Sequence, residues 1–346
     1  MRTRLIGFAT VGVLALGAMV IGIRSGSPAT ARAFLPPRNS QIQVLPGGVV
    51  QSVDSGGRQI WALVDRPSAE RDRLYVADVD AVTNRVHSLH RVPGPASMLY
   101  YDAGRVWVVG GGDGAAPSSR ISVLDAVTGH VTTLRLGTRA GIASMAFADS
   151  TAYAAVPSRD AVLAVTLSGG QLQARSIHVA GGPTSVVALK GVILPANRDR
   201  NLAPIWLEAR KDAADVTALS QGVPAIAAAG RDGVWARTGQ AIERETLDAG
   251  TAPAVVRLRP AYRPFDVVTA RDGGCYVSLP NPSDLPSRAD LFYYSASALA
   301  GGSPLPTSAH SGNEIKTLAA DPVGGVVYVD YTGRLWRWVP AGVPLR

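Results

Sequence analysis

The sequence predicts an all-β fold of seven four-stranded antiparallel blades, a β-propeller closed by pairing of its N- and C-terminal strands. Three observations carry this. An apolar strand recurs at Trp61, Trp107, Tyr153, Ile193, Trp235, Tyr276 and Tyr328, six of the seven aromatic, with spacings of 46, 46, 40, 42, 41 and 52 residues. Between recurrences, short β-branched runs alternate with Gly, Asn and Pro turns, the pattern of four short strands per unit. Helical periodicity is nearly absent after residue 40.

Composition narrows the field further. The 346 residues are 47% hydrophobic and 17% charged, with 37 Gly and 24 Pro, a balance too apolar for a disordered chain. The single cysteine, Cys275, excludes a disulfide framework and any multi-cysteine zinc or iron–sulfur site. Net charge is +8, of which Arg2, Arg4, Arg24 and Arg32 supply four in an N-terminal stretch without acids. The rest is spread thinly, with no dense Lys/Arg tract, so nucleic acid is not an expected partner.

The N-terminus reads as an address. Met1-Arg-Thr-Arg4 precedes nineteen uncharged residues, Leu5 to Ile23, followed by Arg24 and a Ser/Pro/Ala-rich stretch. A basic region and then an apolar one mark a secretory signal, and Ala29-Thr30-Ala31 and Ala31-Arg32-Ala33 fit its small-x-small cleavage pattern. At 1.5 Å per residue the apolar run would span ~28 Å as a helix, enough to serve as an uncleaved membrane anchor. Residues 1–33 are therefore expected to be a signal peptide or a signal anchor helix, and 34–40 a linker. The propeller, 41–346, is expected outside the cytoplasm, secreted or held at the cytoplasmic membrane through residues 5–23 if they are uncleaved.

The second unit is clearest: Ala96–Tyr101 is expected as its innermost strand, then Arg105–Val109, Arg120–Asp125 and Val131–Leu136. Ala126-Val-Thr-Gly129 joins the last two as a hairpin whose glycine accepts positive φ. Asp80-Ala-Val-Thr-Asn84 repeats that turn one unit earlier, and Leu167-Ser-Gly-Gly170 one unit later. At the C-terminus, Ile315–Ala320, Val326–Tyr331 and Arg334–Val339 supply three strands. Gln41–Leu45 is expected to supply the fourth, which removes free sheet edges.

Val106-Trp-Val-Val109 and Ser119-Arg-Ile-Ser-Val-Leu-Asp-Ala-Val-Thr-Gly-His-Val-Thr-Thr-Leu-Arg-Leu-Gly137 resemble the YVTN-type β-propeller repeat of the YVTN/NHL/WD40-like superfamily. Leu74–Val92 and Ala152–Gly182 are similar, and the later units are looser, since the third strands at Ile205 and Ala241 lack the Asp-x-x-Thr turn. The resemblance covers roughly 41–340 and implies a seven-bladed propeller in an exported bacterial protein. The superfamily spans lyases, redox proteins and cell-surface proteins, so it implies no single activity.

Catalytic constellations are missing from the sequence. His87 and His90, three apart on a strand, point to opposite faces. They and His178 fall on predicted outermost strands, His130 on an outer turn, and His310 near the entry to the last blade. Asp54, Asp125, Asp149, Asp160 and Asp321 read as turn-formers. Gly110-Gly-Gly-Asp-Gly114 lacks the helix of a phosphate loop and the spaced carboxylates of a calcium loop. Cys275 reads as a buried strand thiol, and Trp61, Trp107 and Trp235 as blade packing. No metal or other cofactor is expected.

Loop length points elsewhere. Arg66–Asp72, Gly110–Ser119, Ala196–Pro204 and Pro280–Ala289 are long connections between second and third strands, so they emerge on one face together with the inter-blade loops. With Tyr262 and Arg263, that face would carry Arg66, Arg71, Asn197, Arg198, Asp199, Arg200, Asn281, Asp284 and Arg288 as the candidate binding residues. Its arginines favour an anionic or carboxylate-bearing partner. The expected function is non-catalytic binding of a protein or cell-envelope component. The alternatives are a propeller-class lyase, hydrolase or redox enzyme with a funnel site, and a periplasmic sensor domain.

Overall fold

The computed structural model describes residues 39–67, 73–110, 120–137, 140–189, 191–197, 205–206, 225–229, 233–238, 241–246, 254–257, 266–279, 291–300, 307–309 and 314–345. All belong to the second of two compact units, Leu35–Arg346. The expected signal or anchor segment lies outside the described residues. Among those described, no helix is long and apolar enough to cross a membrane.

These residues form seven antiparallel sheets, most of four strands taken in chain order. Sheet one comprises β2 (Val49–Gly56), β3 (Gln59–Arg66), β4 (Arg73–Asp80) and β5 (Val86–Val92). Sheet two is β6 (Met98–Asp102), β7 (Arg105–Val109), β8 (Arg120–Asp125) and β9 (Val131–Arg135). Sheet three is β10 (Ser144–Ala148), β11 (Thr151–Val156), β12 (Ala161–Ser168) and β13 (Gln171–His178). Sheet four shows β14 (Pro183–Leu189), β15 (Val192–Asn197) and β16 (Ile205–Trp206). Sheet five is β17 (Ala225–Ala229), β18 (Gly233–Thr238), β19 (Ala241–Thr246) and β20 (Ala254–Arg257). Sheet six is β21 (Asp266–Thr269), β22 (Cys275–Ser278), β23 (Leu291–Tyr294) and β24 (Thr307–Ala309). Sheet seven joins β25 (Ile315–Ala320), β26 (Val326–Asp330) and β27 (Leu335–Trp338) to β1 (Asn39–Ile42) from the other end of the chain.

Each of the seven recurring positions sits on the second strand of a sheet and is buried, from Trp61 and Ile193 at 0% exposure to Tyr153 at 7%. The reason is packing between sheets. Trp61 stacks on Tyr101 of sheet two (5.7 Å, 10°), Trp107 meets Phe147 of sheet three (5.6 Å), and Tyr276 meets Trp338 of sheet seven edge-on (6.2 Å). The apolar cores lie between successive sheets. Leu63, Val76 and Leu74 pack on Leu99, Val106 and Leu124, and the last core joins Val327, Val329 and Leu335 to Val50, Ile60 and Val79 of sheet one.

The Asp-x-x-Thr turns have a local cause. Asp80 Oδ1 accepts from the Val82 and Thr83 amides (3.1 and 2.6 Å) and the Thr83 hydroxyl (2.8 Å). Asp125 Oδ1 does the same with Val127 and Thr128. Those bonds hold both carboxyls below their ordinary pKa. Asn84 (φ 58°) and Gly129 (φ 71°) then close the turns in the left-handed region.

The strand expected at Gln41–Leu45 runs instead over Asn39–Ile42, with Asn39 opposite Trp338 and Ile42 opposite Leu335. It starts inside the segment read as linker because β27 still offers partners to Asn39 and Ser40, so pairing rather than the apolar pattern sets its start. The first strands lie side by side: β2 touches both β6 and β25, and β14 touches β10 and β17.

Candidate functional site

The four long connections do link second to third strands, so they share one end of their sheets. Of the predicted binding residues, Arg66 is described, exposed at the end of β3. Asn197 is described in its backbone, as the last residue of β15. Arg71, Arg198, Asp199, Arg200, Tyr262, Arg263, Asn281, Asp284 and Arg288 lie outside the described residues, as does His310.

Register brings other arginines to that end. Arg73, the first residue of β4, stands directly opposite Arg66, and Arg120 of β8 stands directly opposite Arg135 of β9. Arg91 lies one residue from the end of β5, and Arg159 in the 3₁₀ turn (Pro157–Arg159) that enters β12. Arg120 Nη1 donates to Gly94 O (2.8 Å) in the connection from sheet one to sheet two. Arg159 Nη2 donates to Leu136 O in the next such connection. None of these six arginines has a carboxylate ion-pair partner among the described residues. At the opposite end Arg58 lies within electrostatic reach of Asp80, and Arg105 of Asp102 and Asp125, while Arg271 Nη1 donates to Pro322 O (3.1 Å).

A second polar group lines the first strands. Adjacent first strands exchange few main-chain bonds, so side chains meet their free amides and carbonyls. Ser52 Oγ accepts from Leu99 N (3.2 Å) and Asp54 Oδ2 from Tyr101 N (2.7 Å), tying β2 to β6. Ser144 Oγ of β10 accepts from Val186 N of β14 (3.3 Å), and Ser55 Oγ of β2 donates to Ala320 O of β25. Lys316 Nζ donates to Gln51 Oε1 (2.5 Å), again joining β25 to β2. Asp54, read from sequence as a turn-former, is thus a strand bridge. Burial, opposed by the amides of Tyr101 and Ser55, pushes its pKa up to about 6. Burial also raises the Tyr100 phenol, and the nearby charges of Asp54 and Asp266 push the same way.

The unfolded Asp54 carboxyl ionises near 3.8, whereas the folded one keeps its proton until about 6. Its ionisation therefore costs nothing in strongly acid solution, grows between those values and is fully felt above them. A shift of this size corresponds to up to about 3 kcal/mol. Asn at 54 keeps an acceptor for Tyr101 N but carries no charge. Denaturant unfolding from acid to neutral pH is expected to show wild type losing more stability than Asp54→Asn across that window; parallel curves would remove the assignment.

The four described histidines lie at the outer strands and turns. His87, His90 and His178 lie on the outermost strands β5 and β13 and His130 beside the β8–β9 turn. His90 Nε2 is hydrogen-bonded to Ser88 Oγ (2.8 Å). Among the described residues no cluster of His, Cys, Asp or Glu has a metal-holding arrangement. Cys275 is fully buried, and burial raises its thiol, so the folded chain disfavours a thiolate there.

No family model matches the chain, and no curated protein matches it in sequence. Solved structures match its fold. A chain of a mitotic checkpoint complex superposes with a TM-score of 0.62 at 11% identity, covering 98% of this chain and 99% of that one. The β-propeller domain of Myceliophteria thermophila Cps50 (Swd1) gives 0.62 at 12% identity, covering 86% and 99%. Virginiamycin B lyase from Staphylococcus aureus gives 0.56 at 9% identity, covering 89% and 98%. The chain therefore has a β-propeller-type, WD40-like fold, and identities this low speak to fold alone.

Proposed function

We propose that this chain is an exported seven-bladed propeller, closed through β1 and β27, that binds a protein or cell-envelope component without catalysis. The observation that carries the reading is the asymmetry between its two ends. One end collects the long second-to-third connections and the cross-strand arginine pairs, whereas at the other Arg58 and Arg105 lie within electrostatic reach of Asp80, Asp102 and Asp125. Binding residues gather on loops held by a rigid scaffold. Neighbours of this fold include a component of a multiprotein complex, which is consistent with a scaffold. The Arg-flanked apolar run Leu5–Ile23 supports export.

The polar groups on the first strands, with a lyase among the fold's neighbours, favour a funnel enzyme as the second reading. Against it, Asp54 already spends its oxygens on the Tyr101 and Ser55 amides.

The test is crosslinked affinity purification of tagged full-length protein from its native membranes, beside a variant with Arg198, Arg200 and Arg288 changed to Ala. A stoichiometric partner captured by the wild type and lost in the variant is the expected result. No partner with either form would overturn the scaffold reading and turn attention to small ligands on the purified protein.

A further inference from the structure

The two cross-strand arginine pairs are an anomaly in stability terms. Residues directly opposite on neighbouring strands have Cβ atoms about 5 Å apart, and like charges there repel. Arg66 faces Arg73 and Arg120 faces Arg135 in that relation, on adjacent sheets and at the same end of each. The pairs flank one connection, Pro93-Gly94-Pro95. Arg120 is fastened to Gly94 O (2.8 Å), while a Cβ built on Gly94 would lie 3.8 Å from Leu74 Cβ, the residue next to Arg73. Arg159 continues the row, fastened to the carbonyl of Leu136, the residue after Arg135. Main-chain carbonyls orient these guanidinium groups but do not neutralise them.

From this geometry we infer that each arginine pair is a clamp for one carboxylate, and that the row seats an acidic polypeptide segment. The inference rests on the scaffold reading and names its partner's chemistry. A guanidinium presents a planar fork of donors, and two forks held side by side can enclose a two-oxygen anion from both flanks. The cations come in groups, Arg66, Arg73 and Arg91 on sheet one and Arg120 and Arg135 on sheet two, divided by a Pro-Gly-Pro connection. That spacing suits acidic side chains placed at intervals along an extended chain. It suits less well a flat lipid surface or the continuous charge of a phosphate backbone, which calls for an unbroken basic stripe. Binding would convert a self-repelling arrangement into a satisfied one, so the clamps weaken the free protein slightly and strengthen the complex.

The test measures fluorescence polarisation of a labelled dodecaglutamate peptide on full-length protein at low and high salt. Wild type is expected to bind in a salt-sensitive manner. Arg73→Gln with Arg135→Gln breaks both clamps and is expected to weaken binding by about tenfold or more, the effect of losing one charge-assisted contact per clamp. Its thermal midpoint in the absence of peptide should equal or exceed that of wild type, because a repulsion has been removed. Arg58→Gln with Arg85→Gln makes the same change in net charge at the opposite end and should leave binding nearly intact. Equal weakening by the two double variants would show attraction by net charge alone and overturn the clamps. Binding to phosphatidylserine vesicles or a thymidine oligonucleotide in preference to the peptide would overturn the polypeptide assignment, and so would failure of the wild type to bind peptide. A native partner still captured by Arg73→Gln/Arg135→Gln would remove this inference and leave the scaffold reading standing.

Discussion

Replacing Arg337 by methionine is expected to destabilise the protein by about 3–5 kcal/mol, the usual loss when one partner of a buried ion pair is removed. Arg337 is 1% exposed on β27, and Asp321, in the turn after β25, is 3% exposed. The guanidinium bonds both oxygens of Asp321 through Nε and Nη2, and Nη1 reaches Asn84 Oδ1 (2.6 Å) while Nη2 also reaches Ala81 O (2.6 Å). Ala81 and Asn84 belong to the Asp80–Asn84 hairpin of sheet one, so one side chain joins the last sheet to the first. Methionine fills much of the space but leaves the buried Asp321 carboxylate with only the Val323 amide (3.1 Å) and the Ala81 carbonyl without the Arg337 donor. The measurement is denaturant unfolding of the full-length protein. Arg337→Met combined with Asp321→Leu should recover part of the loss, because an apolar pair leaves no charge behind. A single variant as stable as wild type would show that the clamp contributes nothing net.

Trp61→Ala is expected to cost about 3–5 kcal/mol, the range for a large aromatic removed from a close-packed core. Trp61 is 0% exposed, stacks on Tyr101, and shares a cluster with Leu63, Val76, Leu99, Val106 and Leu124. The cavity would open between sheets one and two, where neither sheet can close the gap without shifting on its other face. Trp61→Phe should cost much less than half as much. The indole Nε1 is buried with no hydrogen-bond partner, so phenylalanine loses ring area and no bond. Unfolding midpoints of the two variants make the comparison, and a phenylalanine variant as unstable as the alanine one would show that Nε1 has a partner after all.

The tryptophan was legible in the sequence and the arginine was not, for a physical reason. A position that must fill the gap between neighbouring sheets is under the same demand in every repeat, so the pattern repeats it: Trp61, Trp107 and Trp235 announce themselves by spacing. The Asp-x-x-Thr turns are equally local, because Asp80 and Asp125 each satisfy amides two and three residues ahead. Arg337 makes its contacts with Ala81 and Asn84, more than 250 residues away, and it has no counterpart in the other repeats to mark it. Asp54 shows the intermediate case. Its short-range bond to Ser55 N fits the turn-former expected from its neighbours. Its bond to Tyr101 N, across 47 residues, depends on β2 and β6 lying side by side.

Charge shows the same division. The thin spread of arginine along the chain gives no hint of a cationic row, because linear density does not record strand register. Arg66 and Arg73 lie on either side of a loop, and Arg120 and Arg135 at the far ends of a hairpin; both become direct neighbours once their strands pair.

The all-β class, the repeat, the buried second-strand positions and the hairpin turns were readable from the amino-acid pattern. Each is set by period-two burial, turn chemistry or a demand repeated in every unit. Tertiary structure alone decided which polar groups meet: Arg337 with Asp321 and the first hairpin, Asp54 with Tyr101, arginine with arginine. Those encounters are fixed by the register of paired strands and the packing of one sheet against the next, and neither leaves a periodic mark on the chain.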